Sequence, residues 1–420
     1  ARTAEKAVIG AADPAPLPPL TGVPIPIKDL NMVAGVRQTF GSVVFADNIA
    51  PQDDNVTSKI RAAGAVIIGK TAAPEFGLPC YTEGEIGPPA RTPWDLNRSA
   101  GGSSGGAGAA VSSGLAPAAH GNDGGGSIRI PAACTGLVGL KAARDRVPAE
   151  VPGWLGASVE GVVTRTVEDA AAVLDEICGP DPLAWHTAAP PDRPFAAEVG
   201  ADPGRLRVAL MAQAPFGVPV DHAAAQAVRD AGRALEDLGH HVEEAGFELF
   251  PPEVLEPFLA VMHAGFGDYD GLDVERLEPH NRAGLRAGRA VDSVELVRAL
   301  GTLQRLSRRT VARWGRDLDV LVTPTTAILP PEAGSILEQV HAHPEDMPAD
   351  VLSMSIFTAP FNVSGQPAAS LPLGEARPDG GPALPVGVQL VTGPWQEALL
   401  IRLASQLEEA FPWRHRHPSP

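Results

Sequence analysis

Ala119-His120-Gly121-Asn122-Asp123-Gly124-Gly125-Gly126-Ser127-Ile128-Arg129 is the stretch from which the rest of the chain can be read. Three consecutive glycines ahead of a serine strip side chains from the backbone, so its N–H groups can approach a ligand oxygen as an oxyanion hole requires. A flexible surface loop would be equally glycine-rich, but Ile128, Ile130, Ala132 and Ala133 follow at once and read as a buried continuation. Upstream lies Gly101-Gly102-Ser103-Ser104-Gly105-Gly106, which alone would pass for a linker. It leads instead straight into an alanine-rich helix pattern, Ala107 to Ser113. The third element is Lys28, set among Ile25, Ile27 and Leu30, where desolvation would lower an ammonium pKa. Of 33 Lys and Arg only five are lysine (Lys6, Lys28, Lys59, Lys70, Lys141), so a lysine in apolar company asks for a specific role. A serine hydroxyl needs an adjacent base to become a nucleophile. A neutral lysine can be that base, with a second serine relaying the proton.

Composition narrows the alternatives. The 420 residues carry 33 Lys and Arg against 50 Asp and Glu, a formal net charge of −17, which argues against a nucleic-acid surface. No window approaches the roughly 18 consecutive apolar residues of a membrane span, and Ala1 to Gly10 shows no export signal. Three cysteines, Cys80, Cys134 and Cys178, are odd in number and widely spaced, which is neither a disulfide framework nor a zinc site. A cytoplasmic protein is therefore expected, and the missing initiator Met reads as a chain trimmed at its start. Gly and Pro number 45 and 43, short of low-complexity disorder.

Outward from the glycine clusters, strands and helices alternate. Val23 to Leu30 reads as an edge or terminal strand, Asn55 to Ala63 as a helix, and Ala65 to Gly69 as a buried strand. Thr166 to Asp169 resembles a capping box opening a helix to Cys178, and Pro180 to Pro203 a loop. Leu206–Met211, Ala223–Leu238 and His241–Phe247 form an α/β unit, and Val254 to Trp314 is mostly helical with an interruption near Gly265–Gly271. Asp319–Pro324 and Val386–Val391 read as strands, and Gln396–Ala410 as a closing helix. The expected fold class is α/β, with a large mixed sheet covered by helices.

These strings resemble the amidase signature family of serine amidohydrolases. Gly22 to Asp29, Gly101 to Gly106 and Asp123 to Arg129 match its motifs in order, with Ser103 and Ser127 24 residues apart and Lys28 99 residues before Ser127. Pro131 to Lys141, Phe361 to Ala368 and Pro385 to Leu390 resemble its further signatures. The resemblance implies the family's fold, helices on both faces of the sheet, and a single domain over 1–420. Within it, 1–21 would be a lead-in, 22–180 the signature core, 181–315 a substrate-side region and 316–420 the end of the core. It implies Ser127 as nucleophile, Ser103 in a cis peptide as bridging serine, and Lys28 as general base and later acid. Gly124, Gly125 and Gly126, with Ser127, would hold the oxyanion, and Ser104, Asp123 and Arg129 would organise the site. It implies no cofactor and no metal. The substrate would be a small amide or carbamate and the protein a monomer or homodimer. The Asp-Gly-Gly-Gly-Ser variant at 123–127 resembles the branch of bacterial amidases acting on linear and cyclic oligoamides and xenobiotic amides.

Other readings compete. Gly102-Ser103-Ser104-Gly105-Gly106 also satisfies G-x-S-x-G, a nucleophile elbow with Ser104 attacking, but Arg91 to Asn97 makes a poor preceding strand. A transamidation subunit working in a complex is a third reading. Phe76, Tyr81, Trp154, Met262 and Phe266, with Thr323–Thr326, are candidates for the substrate pocket. The pairs His240/His241, His341/His343 and His415/His417 lack a carboxylate pattern and read as solvated surface histidines.

Overall fold

The structure is a computed structural model that describes residues 17–151, 153–265 and 272–418. Ten strands occur among them: β1 (Pro24–Lys28), β2 (Val66–Thr71), β3 (Ala118–Asp123), β4 (Val138–Lys141), β5 (Val159–Thr164), β6 (Arg207–Leu210), β7 (His241–Glu244), β8 (Val320–Pro324), β9 (Ala368–Ala376) and β10 (Leu384–Thr392). Eight form one sheet in the order β3-β5-β4-β9-β10-β8-β6-β7, and β1 and β2 make a separate parallel pair. The large sheet is mixed. Pairing is antiparallel from β3 through to β8 and parallel across β8, β6 and β7.

The sheet is covered on both faces, as alternation along its strands shows. Val320 and Val322 pack with the helices Val167–Ile177, His222–Asp237 and Glu397–Ala410, while Leu321 between them packs on the other side with Leu303, Leu306 and Phe361. Side chains two apart share a face, and burial on both faces makes the strand a continuous apolar run.

Several strands escape a reading of the sequence. β3 is Ala-Ala-His-Gly-Asn-Asp, β4 has four residues, and β9 contains Pro372. Proline is tolerated in β9 because the register against β10 shifts between Val386 and Val388, opposite Leu371 to Gly374, and β4 pairs only with Ala368 to Ser370. A bulge removes the ladder bond that proline cannot make. β2 was expected to be buried; it is instead half-exposed, with Ile68 51% accessible, because it pairs only with β1. Residues 1–16 of the lead-in lie outside the described residues.

Two expectations about histidine are corrected. His240 is buried, with Nδ1 accepting the Leu206 N–H at 3.2 Å and Nε2 bonded to Gln406. His341 faces Glu278 rather than standing alone in solvent.

Candidate active site

β3 carries the site on both faces. His120 and Asn122 point one way and Gly121 and Asp123 the other, as a period of two dictates. On the first face β1 lies alongside. The Lys28 backbone N–H donates to His120 Nδ1 at 3.4 Å, and His120 Nε2 meets Glu160 Oε2 at 2.8 Å. Since Nδ1 accepts, the proton of a neutral ring sits on Nε2. Glu160 is the β5 residue in register with Asn122. Lys28 is fully buried, and its Nζ donates to Ser103 Oγ at 2.8 Å and to Asn122 Oδ1 at 2.7 Å. Burial lowers its pKa from 10.5 to about 7, against the opposing pull of Glu160 and Asp123. Asn122 and Glu160 are the residues missed in the sequence. Asn122 lies in the decisive stretch, but its partners, Lys28 and Asn31, reach it only once β1 lies alongside β3.

On the second face, Gly121 leaves room for Ser104: a Cβ there would lie 2.8 Å from Ser104 Oγ. The Ser104 N–H donates to the Ser127 carbonyl at 3.2 Å and its hydroxyl to the Asn122 carbonyl at 3.3 Å. Ser104 is fully buried and borders neither cavity that Ser127 opens on, and no strand ends before it. The elbow reading fails on those grounds. A cis peptide joins Gly102 to Ser103, as the resemblance implied.

The glycine loop is shaped by Asp123 and Arg129. Asp123 Oδ1 accepts from the Gly126 N–H at 2.8 Å and Oδ2 from the Ile128 N–H at 3.2 Å. Arg129 answers with Nε and Nη2, at 2.9 and 2.8 Å, and also donates to Gln389, Asn362 and the Thr358 carbonyl. Burial would raise the Asp123 pKa, but the Arg129 charge and its hydrogen bonds hold it below the usual carboxylate range. Because both groups are fully buried, Arg129→Met should leave an uncompensated carboxylate and cost about 3–5 kcal/mol of stability. Urea denaturation read by circular dichroism checks this; an unchanged midpoint would show that the pair does not hold the loop.

This engagement alters one expectation. An N–H has a single proton, and that of Gly126 is hydrogen-bonded to Asp123 Oδ1. The amides of Gly124, Gly125 and Ser127 have no acceptor among the described residues. Gly126 has a geometric role instead, at φ +129°, where a side chain would run into Thr358. A Cβ on Gly124 would come 2.5 Å from the Trp154 ring.

Ser127 opens on two cavities. One, of about 160 Å³, is apolar, with Ile130, Phe216, Phe250, Phe258 and Met262 in its wall. The other, of about 510 Å³, is lined by Asn122, Gly124, Ser158, Glu160 and Phe76. Trp154 borders both. Of the pocket candidates, Phe76, Trp154 and Met262 therefore lie at Ser127's cavities. Tyr81 does not: it is buried in a neighbouring cluster with Cys80, Cys134 and Met354. Phe266 lies outside the described residues. Thr323 and Thr325 are sealed in the sheet, bonded to Gln389 and Ser370. No helix among the described residues is long and apolar enough to cross a membrane.

Comparison with known proteins bears on this arrangement. The sequence pattern of the family described as Amidase matches residues 1–401. A 6-aminohexanoate-cyclic-dimer hydrolase of Pseudomonas sp. (strain NK87) is 37% identical over 431 aligned positions, covering 95% of this chain and 85% of that one. The solved structure of a 6-aminohexanoate cyclic dimer hydrolase superposes with a TM-score of 0.90 at 34% identity, over 99% of this chain and 89% of the other. A bacterial aryl acylamidase of the amidase signature family superposes with a TM-score of 0.85 at 25% identity, over 98% and 86%.

Proposed function

The chain belongs to the amidase family and is a hydrolase of carbon–nitrogen amide bonds; from that premise we propose that it cleaves small uncharged amides through an acyl-enzyme on Ser127. The observation that carries this reading is the buried Lys28 Nζ–Ser103 Oγ hydrogen bond of 2.8 Å, one residue from the Ser104 amide that holds the Ser127 carbonyl.

In the proposed cycle neutral Lys28 takes the Ser127 proton through Ser103 while Ser127 Oγ attacks the amide carbonyl. The amides of Gly124, Gly125 and Ser127 receive the developing oxyanion, where fixed donors in a dry site are most effective. The proton returns through Ser103 to the leaving amine. Water then enters by the same route, and its attack on the ester releases the acid and restores Ser127. Asp123 and Arg129 hold the loop in shape without touching the substrate.

The apolar cavity takes an aliphatic or aryl group and the larger, more polar one the other side of the scissile bond. Linear or cyclic oligoamides and aryl acylamides fit this division, and carbamates share the attackable carbonyl. A panel of anilides, cyclic and linear oligoamides, primary amides, esters and carbamates with the purified chain is the test. We expect the apolar amides to be turned over at least ~10-fold faster, in kcat/KM, than charged amides of equal size, since each buried methylene adds roughly 0.8 kcal/mol. Equal rates on charged and apolar amides would overturn the substrate class, and silence on every small amide would favour a subunit that works only in a complex.

A further inference from the structure

Away from Ser127, two helices and the segment before one of them bring together a second set of chemistry-bearing side chains. Glu278 precedes the helix Pro279–Ala290, His280 lies in its first turn, and His341 is in the last turn of the helix Ser335–Ala342. One ligand atom from each of the three lies within 4.8 Å of the others. His280 Nδ1 and His341 Nε2 each stand 3.8 Å from Glu278 Oε2. That is too far for a hydrogen bond, and Glu278 Oε2, both His280 ring nitrogens and His341 Nε2 are buried without a hydrogen-bond partner. The Glu278 side chain is only 3% exposed.

Buried polar atoms are nearly always satisfied, and a group of orphans aimed at one point asks for what would satisfy them together. The carboxylate is already fixed from behind. Glu278 Oε1 accepts the Glu85 N–H at 3.3 Å, and Glu75 Oε2 accepts from the Glu278 N–H at 3.0 Å and from Asn281 at 2.7 Å. One oxygen is thus anchored and the other left free toward the two imidazoles. His341 is 31% exposed on its side chain, which leaves an entry path from solvent.

We propose that Glu278, His280 and His341 bind a divalent transition cation of the zinc type. Two imidazoles and one carboxylate are a borderline donor set, which favours zinc over calcium or magnesium. Metal–ligand bonds of about 2.0–2.2 Å put ligand atoms about 3.3 Å apart, so the three side chains need close by only about half an ångström at the 3.8 Å pairs. The ion ties the helix Pro279–Ala290 to the helix Ser335–Ala342 beside a cavity of about 240 Å³ that shares Leu78, Leu259, Met262 and Val351 with the apolar cavity of Ser127. It is a structural clamp and takes no part in the acyl transfer.

The test uses the full chain, stripped with chelator, reloaded with zinc and passed through gel filtration. Elemental analysis should find one zinc per chain, cobalt(II) loading should give a visible d–d band, and zinc should raise the melting temperature by about 3 °C while magnesium does not. His341→Ala, at a partly exposed position, and Glu278→Gln should each lose the bound zinc, the band and the shift. Equal zinc retention by the parent and by both variants, or no retention by the parent, would overturn the proposal. Hydrolysis by the stripped enzyme should stay within about twofold of the loaded one; a loss of more than 100-fold would overturn the structural role. A failed zinc site leaves the Ser127 reading intact, because that reading is scored on labelling and turnover.

Discussion

Ser127→Ala should lower kcat by at least about 10⁴-fold, the scale on which removing a covalent nucleophile is felt, while leaving the fold and KM close to those of the parent. The expectation of an intact fold rests on the surroundings. Ser127 is held by its carbonyl, which accepts the Ser104 N–H, and its neighbours are fixed through Asp123. None of these bonds involves the hydroxyl that is lost. A fluorophosphonate probe followed by intact-mass spectrometry should show one adduct on the parent and none on the variant. Ser103→Ala should behave differently: the nucleophile remains, so slow labelling should persist while turnover falls. If Ser127→Ala is labelled as completely as the parent, the nucleophile lies elsewhere.

The second large effect concerns Lys28 and has a defined pH signature. Its pKa is lowered by burial from 10.5 to about 7, so the base form becomes available near neutrality. Were it unshifted, only about 3 in 10,000 molecules would hold a neutral lysine at pH 7. The rate should therefore rise about tenfold per pH unit below about pH 7 and level off above pH 8. Lys28→Ala should cost roughly 10²–10⁴-fold in kcat. Lys28→Arg should be no better, because arginine keeps its proton at any working pH. Stability follows the same titration. The unfolded chain binds this proton up to about pH 10.5 and the folded one only to about pH 7, so stability rises with pH between those limits. Lys141, buried and likewise lowered to about 7 by burial, contributes with the same sign. Rates that stay flat from pH 5 to 8, or turnover unaffected by Lys28→Ala, would exclude Lys28 as base.

What the sequence made legible divides along physical lines. Lys28, Ser103 and the Asp123–Arg129 run were visible because clustered glycines and a lysine in apolar company stand out within a few residues of sequence. Asn122 and Glu160 were not, since they meet Lys28, Asn31 and His120 only once β1 and β5 lie beside β3, and β3 is built from residues with little strand propensity. The resemblance implies a donor's role for Gly126, whereas Asp123, three residues earlier, accepts its N–H. Tyr81 and Thr323 had the chemistry of pocket residues but are turned into the interior. Helices such as His222–Asp237 and Glu397–Ala410 fell within one residue of their expected limits, because an amphipathic stripe of that length leaves few alternatives.

β1 belongs to a two-stranded sheet of its own, yet it delivers the amine that the proposed cycle uses as base, while the hydroxyl proposed to attack follows β3 in the large sheet. The enzyme is thus wired across a seam between two bodies. In the proposed cycle no amide bond breaks until the segment that carries β1 and β2 has come home onto the rest, and turnover is its own certificate of assembly.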